Sequence, residues 1–259
     1  MSTMKPLLAA ALMGLAGASV LPDSVNAAGE AVPLLEKSWP HDGVFGAYDR
    51  AAAQRGFQVY REVCSACHGL EFVAFRTLQD LGFSEEEVKA LAAEYTVIDG
   101  PDDEGEMFER PARPSDRYPG PYPNANAARA ANGGAYPPDL SLMAKARPNG
   151  TNYVYSLLLG YSDEPPADVE VGDGMNYNAY YPGHQIAMAQ PLYEDSVEYI
   201  DGTPTTLEQH ASDVATFLTW TAEPKLEERK GMGLKVMIFL VILTGLFYAT
   251  KRKIWSDLH

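Results

Sequence analysis

Cysteine is nearly absent, with two in 259 residues, at positions 64 and 67. That excludes a disulfide-stapled scaffold and a zinc site built from thiolates alone. Basic residues are also scarce. Lys and Arg number 20 against 35 Asp and Glu, giving a formal charge of −15. A chain of that sign is not built to bind nucleic acid; it suits solubility or a basic partner. Dense runs of Leu, Val and Ile are missing everywhere but at the two ends, and no internal repeat is evident. Nineteen prolines and 22 glycines imply much irregular backbone. A loop-rich chain of this kind gains from an apolar body to pack around.

What is present centres on Cys64-Ser65-Ala66-Cys67-His68. This C-x-x-C-H run is the pattern of c-type haem attachment. Two thiols three residues apart can each add across a vinyl group, and the adjacent histidine becomes the proximal iron ligand. A redox C-x-x-C of thioredoxin type needs a βαβ setting. Here residues 51–63 ahead of the motif read as helix, with Phe57, Tyr60 and Cys64 on one face. Gly56 lies one turn before Tyr60 and permits another helix to approach closely.

The two ends carry the apolar runs. Lys5, the Ala/Leu-rich stretch at 7–20 and the small residues Val25-Asn26-Ala27 predict a signal peptide over residues 1–27, cleaved before Ala28. Export suits the motif, because c-type haem is attached on the outer side of a bacterial or organellar membrane. Residues 232–250 are apolar but for Lys235, which can snorkel, and Lys251-Arg252-Lys253 follow. At ~1.5 Å per residue the run covers about 28 Å, one hydrocarbon core, and predicts a single transmembrane helix. The basic cluster orients the C-terminus to the cytoplasm or matrix. The expected division is a leader (1–27), a haem domain in the periplasm or intermembrane space (28–228), and an anchor with a short tail (229–259).

Between the ends, residues 29–49 read as an irregular arm. Residues 72–81 are apolar and expected to lie over the haem. Ser84-Glu85-Glu86-Glu87 is a capping box opening a helix to about Tyr95. Asp99, Asp102, Asp103, Glu104, Glu106 and Glu109 then fall within eleven positions that hold no Lys or Arg, and residues 111–123 carry five prolines. Further helices are expected at 142–147, with Ser141 as a possible cap, and at 151–161. Thr205-Thr206-Leu207-Glu208 is a second capping box, opening a helix that stops near Pro224.

An iron that only carries electrons needs a sixth ligand besides His68. His210 falls on a helix with core neighbours, and His41 on a flexible arm. Met107 lies in the acidic run, Met143 on a helix as core, and Met175 in a polar loop. Met188 stands in the apolar stretch Ile186-Ala187-Met188-Ala189 before the last soluble helix, and His184 lies four residues away. The residues alone leave His184, Met188, and Met188 as plain core filler all open. A thioether ligand favours reduced iron and raises the potential, and a filled sixth position favours electron transfer over O₂ or peroxide chemistry.

Blocks along the chain, taken in order, resemble the cytochrome c1 family, the haem subunit of the cytochrome bc1 complex. They are Arg55-Gly56-Phe57-Gln58-Val59-Tyr60 leading into C-x-x-C-H, and Gly100-Pro101-Asp102-Asp103-Glu104-Gly105-Glu106-Met107-Phe108. Ala128-Arg129-Ala130-Ala131-Asn132 through Pro137-Pro138-Asp139-Leu140-Ser141 follows, then Pro182-Gly183-His184-Gln185-Ile186-Ala187-Met188. Asp201-Gly202-Thr203-Pro204 and Arg229-Lys230-Gly231-Met232-Gly233-Leu234-Lys235 complete the set. The resemblance implies a mainly α fold: a class I cytochrome c-like haem domain with long loop insertions, plus one C-terminal transmembrane helix. It implies covalent haem c on Cys64 and Cys67, axial ligation by His68 and Met188, and a pocket lined by Asn132, Pro138, Arg147 and Tyr153. Arg147 would pair with a haem propionate, a task its forked donors suit. Some bacterial members have a disulfide near the methionine loop; with no cysteine left here, packing must hold that loop.

The same resemblance implies a role in quinol oxidation. The chain would take electrons from a Rieske iron–sulfur protein and pass them to a soluble or tethered cytochrome c. Cytochrome b would be its neighbour and hold the quinol, in a dimeric complex within the bacterial or mitochondrial inner membrane. This chain would be a non-quinol-binding reductase subunit, an electron carrier with no catalytic residue of its own. Asp99, Asp102, Asp103, Glu104 and Glu106 are the expected docking face, since opposed fields speed encounter with a basic cytochrome c. The plain alternative is a solvated acidic loop. Two rival functions are a freestanding membrane-anchored cytochrome shuttle and a haem enzyme such as a peroxidase. The shuttle usually has a flexible linker before its anchor, and the peroxidase needs an open iron position.

Overall fold

The computed structural model describes residues 33–256 apart from Asp168; the expected leader at 1–27 lies outside the described residues. Its frame is a pair of helices far apart in sequence. α1 (Arg50–Glu62) starts where the Asp49 carboxylate accepts the Ala52 N–H, and α6 (Leu207–Ala222) starts where Thr206 accepts the Gln209 N–H. α6 therefore opens one residue later than the capping box predicts. The Thr205 hydroxyl turns instead to Asp195. The two helices touch at Gly56, where a Cβ would fall 2.0 Å from the Asp213 carbonyl oxygen and 2.7 Å from the Phe217 Cβ. Only glycine fits there, so the close approach expected from the sequence is real and α6 is the partner. Around that point Phe57 and Tyr60 meet Phe217, with ring centroids 5.5 and 5.9 Å apart.

A bidentate ion pair ties the same helices together. Arg55 reaches Asp213 at 2.8 Å and Asp201 at 2.9 Å. Asp213 is fully buried, so its charge is tolerable only with this partner. The largest single effect on Arg55 is burial, which disfavours its charge, but the two carboxylates together outweigh it and raise its pKa further above the ordinary range.

The core then extends through a 3-10 segment (Phe75–Leu81), which buries Phe75, Leu78 and Leu81 completely. The 72–81 stretch expected over a haem is thus largely a wall of the core, and of its large side chains Phe72 stays exposed. α2 (Glu85–Ala93) has the full capping box at Ser84 and Glu87. It leads into a hairpin of β1 (Thr96–Asp99) and β2 (Phe108–Pro111), paired antiparallel with Asp99 opposite Phe108. α3 (Ala125–Ala131), capped by Asn124, is followed by α4 (Met143–Ala146) and α5 (Gly150–Leu159). Neither the hairpin nor α3 is expected from the sequence. The hairpin strands are four residues long without clean alternation, and α3 is a seven-residue alanine-rich turn with no apolar stripe. Two-residue strands β3 (Asn176–Tyr177) and β4 (Gln185–Ile186) pair ahead of α6.

The N-terminal arm is irregular, as expected, but it is not loose. Trp39 and His41 are 5% and 4% exposed. The Leu35 N–H donates to Ser156, and the Trp39 indole N–H to Asn152 at 2.7 Å. Residues 33–49 are therefore fastened to α5, because two large rings need a polar partner and cover at once.

α7 (Leu226–Ile254) begins four residues after α6 ends. At ~1.5 Å per residue its 29 residues measure about 44 Å. Its apolar stretch is long enough to span a membrane, and none of that stretch is buried in protein. Met237, Phe239, Val241 and Phe247 are each more than 60% exposed. A soluble helix would bury such side chains, so lipid is the medium that accounts for α7.

Candidate haem centre

The C-x-x-C-H run sits where α1 tightens into a 3-10 turn (Cys64–Ala66). The Cys67 and His68 N–H groups both donate to the Cys64 carbonyl, at 3.1 and 2.9 Å. This wraps the motif back on itself and carries both sulfurs and the imidazole on one short turn. Burial pushes the Cys64 thiol up to about 12. A redox-active C-x-x-C needs the opposite, an activated thiolate, so the local electrostatics do not suit disulfide exchange.

His68 is fixed at both ends. Its carbonyl accepts the hydroxyl of the buried Tyr60 at 3.0 Å, and its Nδ1 lies 2.7 Å from the Pro138 carbonyl oxygen. A carbonyl can only accept, so Nδ1 carries the proton and Nε2 is left with a bare lone pair. Burial lowers the His68 pKa, against smaller opposing effects of the Pro138 carbonyl and the Asp139 charge, which keeps the ring neutral. A neutral imidazole with Nε2 free is the form that binds a metal.

The Pro137-Pro138-Asp139-Leu140-Ser141 block is held in register with the residues after His68. The Leu140 N–H donates to the Gly69 carbonyl, the Asp139 carboxylate accepts from Glu71 and Ser141, and the Ser141 hydroxyl accepts from Phe72. Tyr60, Asp139 and Ser141 hold this arrangement: Tyr60 was expected only as a packing residue, and Ser141 caps no helix but bonds Phe72 instead. The signal available in the sequence was Asp139 two residues before Ser141, a spacing at which an Asp carboxylate accepts a backbone N–H, as it does here. Phe72 and Leu142, at the ends of these joined segments, are 60% and 46% exposed. Large apolar side chains left uncovered on segments tied to the His68 turn fit an apolar macrocycle. Among the described residues no group of three His, Cys, Asp or Glu gathers to hold a bare metal ion, so an iron here would depend on porphyrin nitrogens.

Arg147 and Tyr153 come together, with the guanidinium 5.8 Å from the ring centroid. Asn132 ends α3 and donates to the Tyr122 hydroxyl and the Ala128 carbonyl. Met188 is held separately. Its carbonyl accepts the Tyr161 hydroxyl at 3.1 Å, just past the end of α5. Behind it, the fully buried Asn178 donates to the Leu157 carbonyl at 2.7 Å and accepts the Tyr180 N–H at 3.0 Å. Gly160 makes this possible, since a Cβ there would meet the Asn178 Oδ1 at 2.6 Å. Asn178 and Tyr161 carry no motif of their own and escaped the sequence reading. His184 lies in the turn between β3 and β4 with a left-handed φ of 57°, and its ring is stacked on Tyr177 at 6.0 Å.

The acidic residues occupy the β1–β2 hairpin and its tip. Asp99 is not a free charge. Arg110 binds it and Asp116, and hydrogen bonding to Arg110 lowers the pKa of both carboxylates. Asp102 organises the turn, its carboxylate accepting the N–H groups of Glu104 and Glu106 at 2.9 Å each. Asp102, Asp103, Glu104 and Glu106 are exposed, and among the described residues none of them has a cationic partner.

A helical domain with this motif on its first helix, followed by one long apolar helix, has the layout of a membrane-anchored c-type cytochrome. The sequence model of the Cytochrome C1 family matches residues 39–258. "Cytochrome c1 1, heme protein, mitochondrial" of Arabidopsis thaliana is 51% identical over 253 residues, covering 97% of this chain and 81% of the relative. "Cytochrome c1" of Rhodospirillum rubrum is 49% identical over 241 residues, 87% of this chain and 89% of the relative. "Cytochrome b-c1 complex catalytic subunit, mitochondrial" of Candida albicans is 50% identical over 240 residues, 93% and 83%. The chain belongs to the cytochrome c1 family.

Proposed function

We propose that this chain binds one haem c through Cys64 and Cys67, with His68 and Met188 as the axial ligands, and relays electrons from a Rieske iron–sulfur protein to a cytochrome c. It does so as a subunit of the cytochrome bc1 complex. The observation that carries the reading is the 2.7 Å contact between His68 Nδ1 and the Pro138 carbonyl, which leaves Nε2 free at the end of a C-x-x-C-H turn. When bound, the haem supplies a one-electron Fe(III)/Fe(II) couple.

The chain's own residues do the rest. The Pro138 carbonyl orients the imidazole and, by drawing on the Nδ1 proton, makes Nε2 more basic. The Met188 thioether is soft and favours the reduced metal. Tyr161 fixes the backbone of Met188, so the sulfur needs no disulfide to be presented. Arg147, supported on the Tyr153 ring, offers a fork to a propionate. Asn132 and Pro138 complete the pocket wall. The free carboxylates of Asp102, Asp103, Glu104 and Glu106 steer a basic cytochrome c toward this domain.

The chain takes no part in quinol chemistry, which falls to cytochrome b beside α7 in a dimeric complex. The domain faces the periplasm or intermembrane space, with residues 1–27 removed on export. α6 ends at Ala222 and α7 begins at Leu226, so no flexible tether separates domain from anchor. That favours a fixed subunit over a freestanding shuttle, and blue-native co-migration with cytochrome b tests it. The deciding experiment for the site is redox titration of Met188→Leu. A sharply lowered midpoint potential is expected; an unchanged potential overturns the ligand assignment.

A further inference from the structure

We infer that the loop tip Gly43-Val44-Phe45 inserts into the outer leaflet beside α7 and, as a second point of contact, sets the height and tilt of the domain over the bilayer. The inference rests on α7 crossing a membrane, and it does not require the haem.

Val44 and Phe45 are 64% and 83% exposed. They are not a loose tip. The Ala47 N–H closes the loop on the Pro40 carbonyl at 3.0 Å, and the Asp42 carboxylate turns back to accept the Trp39 N–H at 2.9 Å. Trp39 and His41 are buried beneath it, their rings stacked at 5.8 Å. α7 then clamps both ends of the loop. Lys230 donates through Nζ to the carbonyls of His41 and Gly46, at 2.6 and 3.2 Å. Glu227 accepts the Tyr48 N–H at 2.8 Å and forms a two-pronged pair with Arg50.

The clamp puts the apolar tip at one level of α7. Residues 44–47 form a cleft with Gly231 and Leu234, the first turn of the apolar stretch. The exposed side chains of Val44 and Phe45 therefore stand beside Leu234, where the exposed apolar side chains of the span begin. The charges at the loop and its clamp are engaged within the chain, Lys230 by carbonyls, Glu227 by Arg50 and Asp42 by a backbone N–H, and Lys235 beyond Leu234 is long enough to snorkel. A rigid phenylalanine held out at the entry of a membrane helix, with the neighbouring charges satisfied, matches an interfacial lipid environment. Water would leave the ring uncovered, and a partner protein would have no reason to keep to the level at which lipid begins.

The test uses the full chain in phosphatidylcholine nanodiscs, with nitroxide attached in Phe45→Cys, and separately in Val44→Cys, Met237→Cys and Ile200→Cys. Signal from the unsubstituted chain is subtracted. Position 237 lies in the apolar stretch and position 200 is fully exposed on the domain. Labels at 45 and 44 are expected to collide with a water-soluble nickel chelate severalfold less often than the label at 200, and with oxygen more often. Nickel access at 45 and 44 equal to that at 200 overturns the inference. Protection that appears in membranes holding the assembled complex, but not in nanodiscs, also overturns it, because a protein then covers the tip. Free nickel access at 237 shows that α7 itself does not span, and both readings fall together.

Discussion

His68 follows a 13-residue helix whose inner face is packed against α6, and its imidazole is held by a carbonyl seventy residues away. Met188 follows two strands of two residues each, and its loop is tied to the end of α5 by hydrogen bonds from Tyr161, Asn178 and the Ala179 N–H. The first limb is rigid because many apolar contacts must break together for it to move. The second has fewer buried side chains, Ile186 and Leu192 on either side of Met188, and leans more on individual hydrogen bonds. In a two-ligand iron site this difference assigns the limbs different duties. On the proposed ligation, the histidine side would fix the metal's position, and the methionine side would set its potential and be the side that opens.

Substitutions can break that comparison. The largest effect is expected at Gly56→Ala, where the added methyl meets a backbone carbonyl at 2.0 Å. It should prevent α1 and α6 from closing and abolish folded holoprotein, read as loss of covalent haem on denaturing gels. Full haem content with unchanged stability would mean that the His68 limb is not built on this crossing. Next comes Asn178→Ala, which strands the Tyr180 N–H and leaves the Leu157 carbonyl with only the longer bond from the Gly160 N–H at 3.3 Å. Each group left buried without a partner costs about 1–3 kcal/mol. Here the specific expectation is opening of the Met188 side: ferric protein should bind cyanide more tightly, with haem content retained. Unaltered cyanide affinity would mean that Asn178 does not hold the methionine loop.

A pH experiment probes the rigid limb. His210 on α6 is fully buried, with Nδ1 2.9 Å from the Tyr199 hydroxyl and no partner at Nε2. Burial lowers its pKa, opposed by the charges of Asp213, Glu194 and Asp195. A histidine whose folded pKa lies below its unfolded value of about 6.5 supports the fold above that pH and withdraws support as pH falls. The thermal midpoint should therefore drop below about pH 6.5, and His210→Gln should flatten the slope. A slope identical in the variant would remove His210 from the account. The smallest expected effect leaves both limbs intact. Neutralising Asp102, Asp103 and Glu104 should slow reaction with a basic cytochrome c at low salt and flatten its salt dependence, without moving the potential. An unchanged rate and slope would leave these residues as a solvated loop.

Much of the limbs' chemistry was legible in residue order, and little of their support was. C-x-x-C-H is a local pattern, so its spacing alone announces what it can bind. The capping box at Ser84 and the apolar run at 232–250 are likewise local, and both appear where expected. The acidic run was visible as charge, but that Arg110 withdraws Asp99 from it depends on a hairpin that the sequence does not signal. That the N-terminal arm is irregular was legible, but that it is anchored was not, because its buried rings depend on Asn152 and Lys230, both more than a hundred residues away. Long-range contacts of this kind leave no trace in periodicity.

The sequence by itself determined that two thiols and an imidazole share one turn, that one helix is apolar enough for lipid, and that the chain belongs with the cytochrome c1 family. Those properties reside in neighbouring residues or in identity along the chain. Only the tertiary structure decided which nitrogen of His68 carries the proton, because the Pro138 carbonyl that settles it arrives from another segment. It also decided how a methionine loop without a disulfide is held, and which apolar side chains stand at the foot of the anchor. Hydrogen bonds and burial between distant segments exist only once the chain has folded.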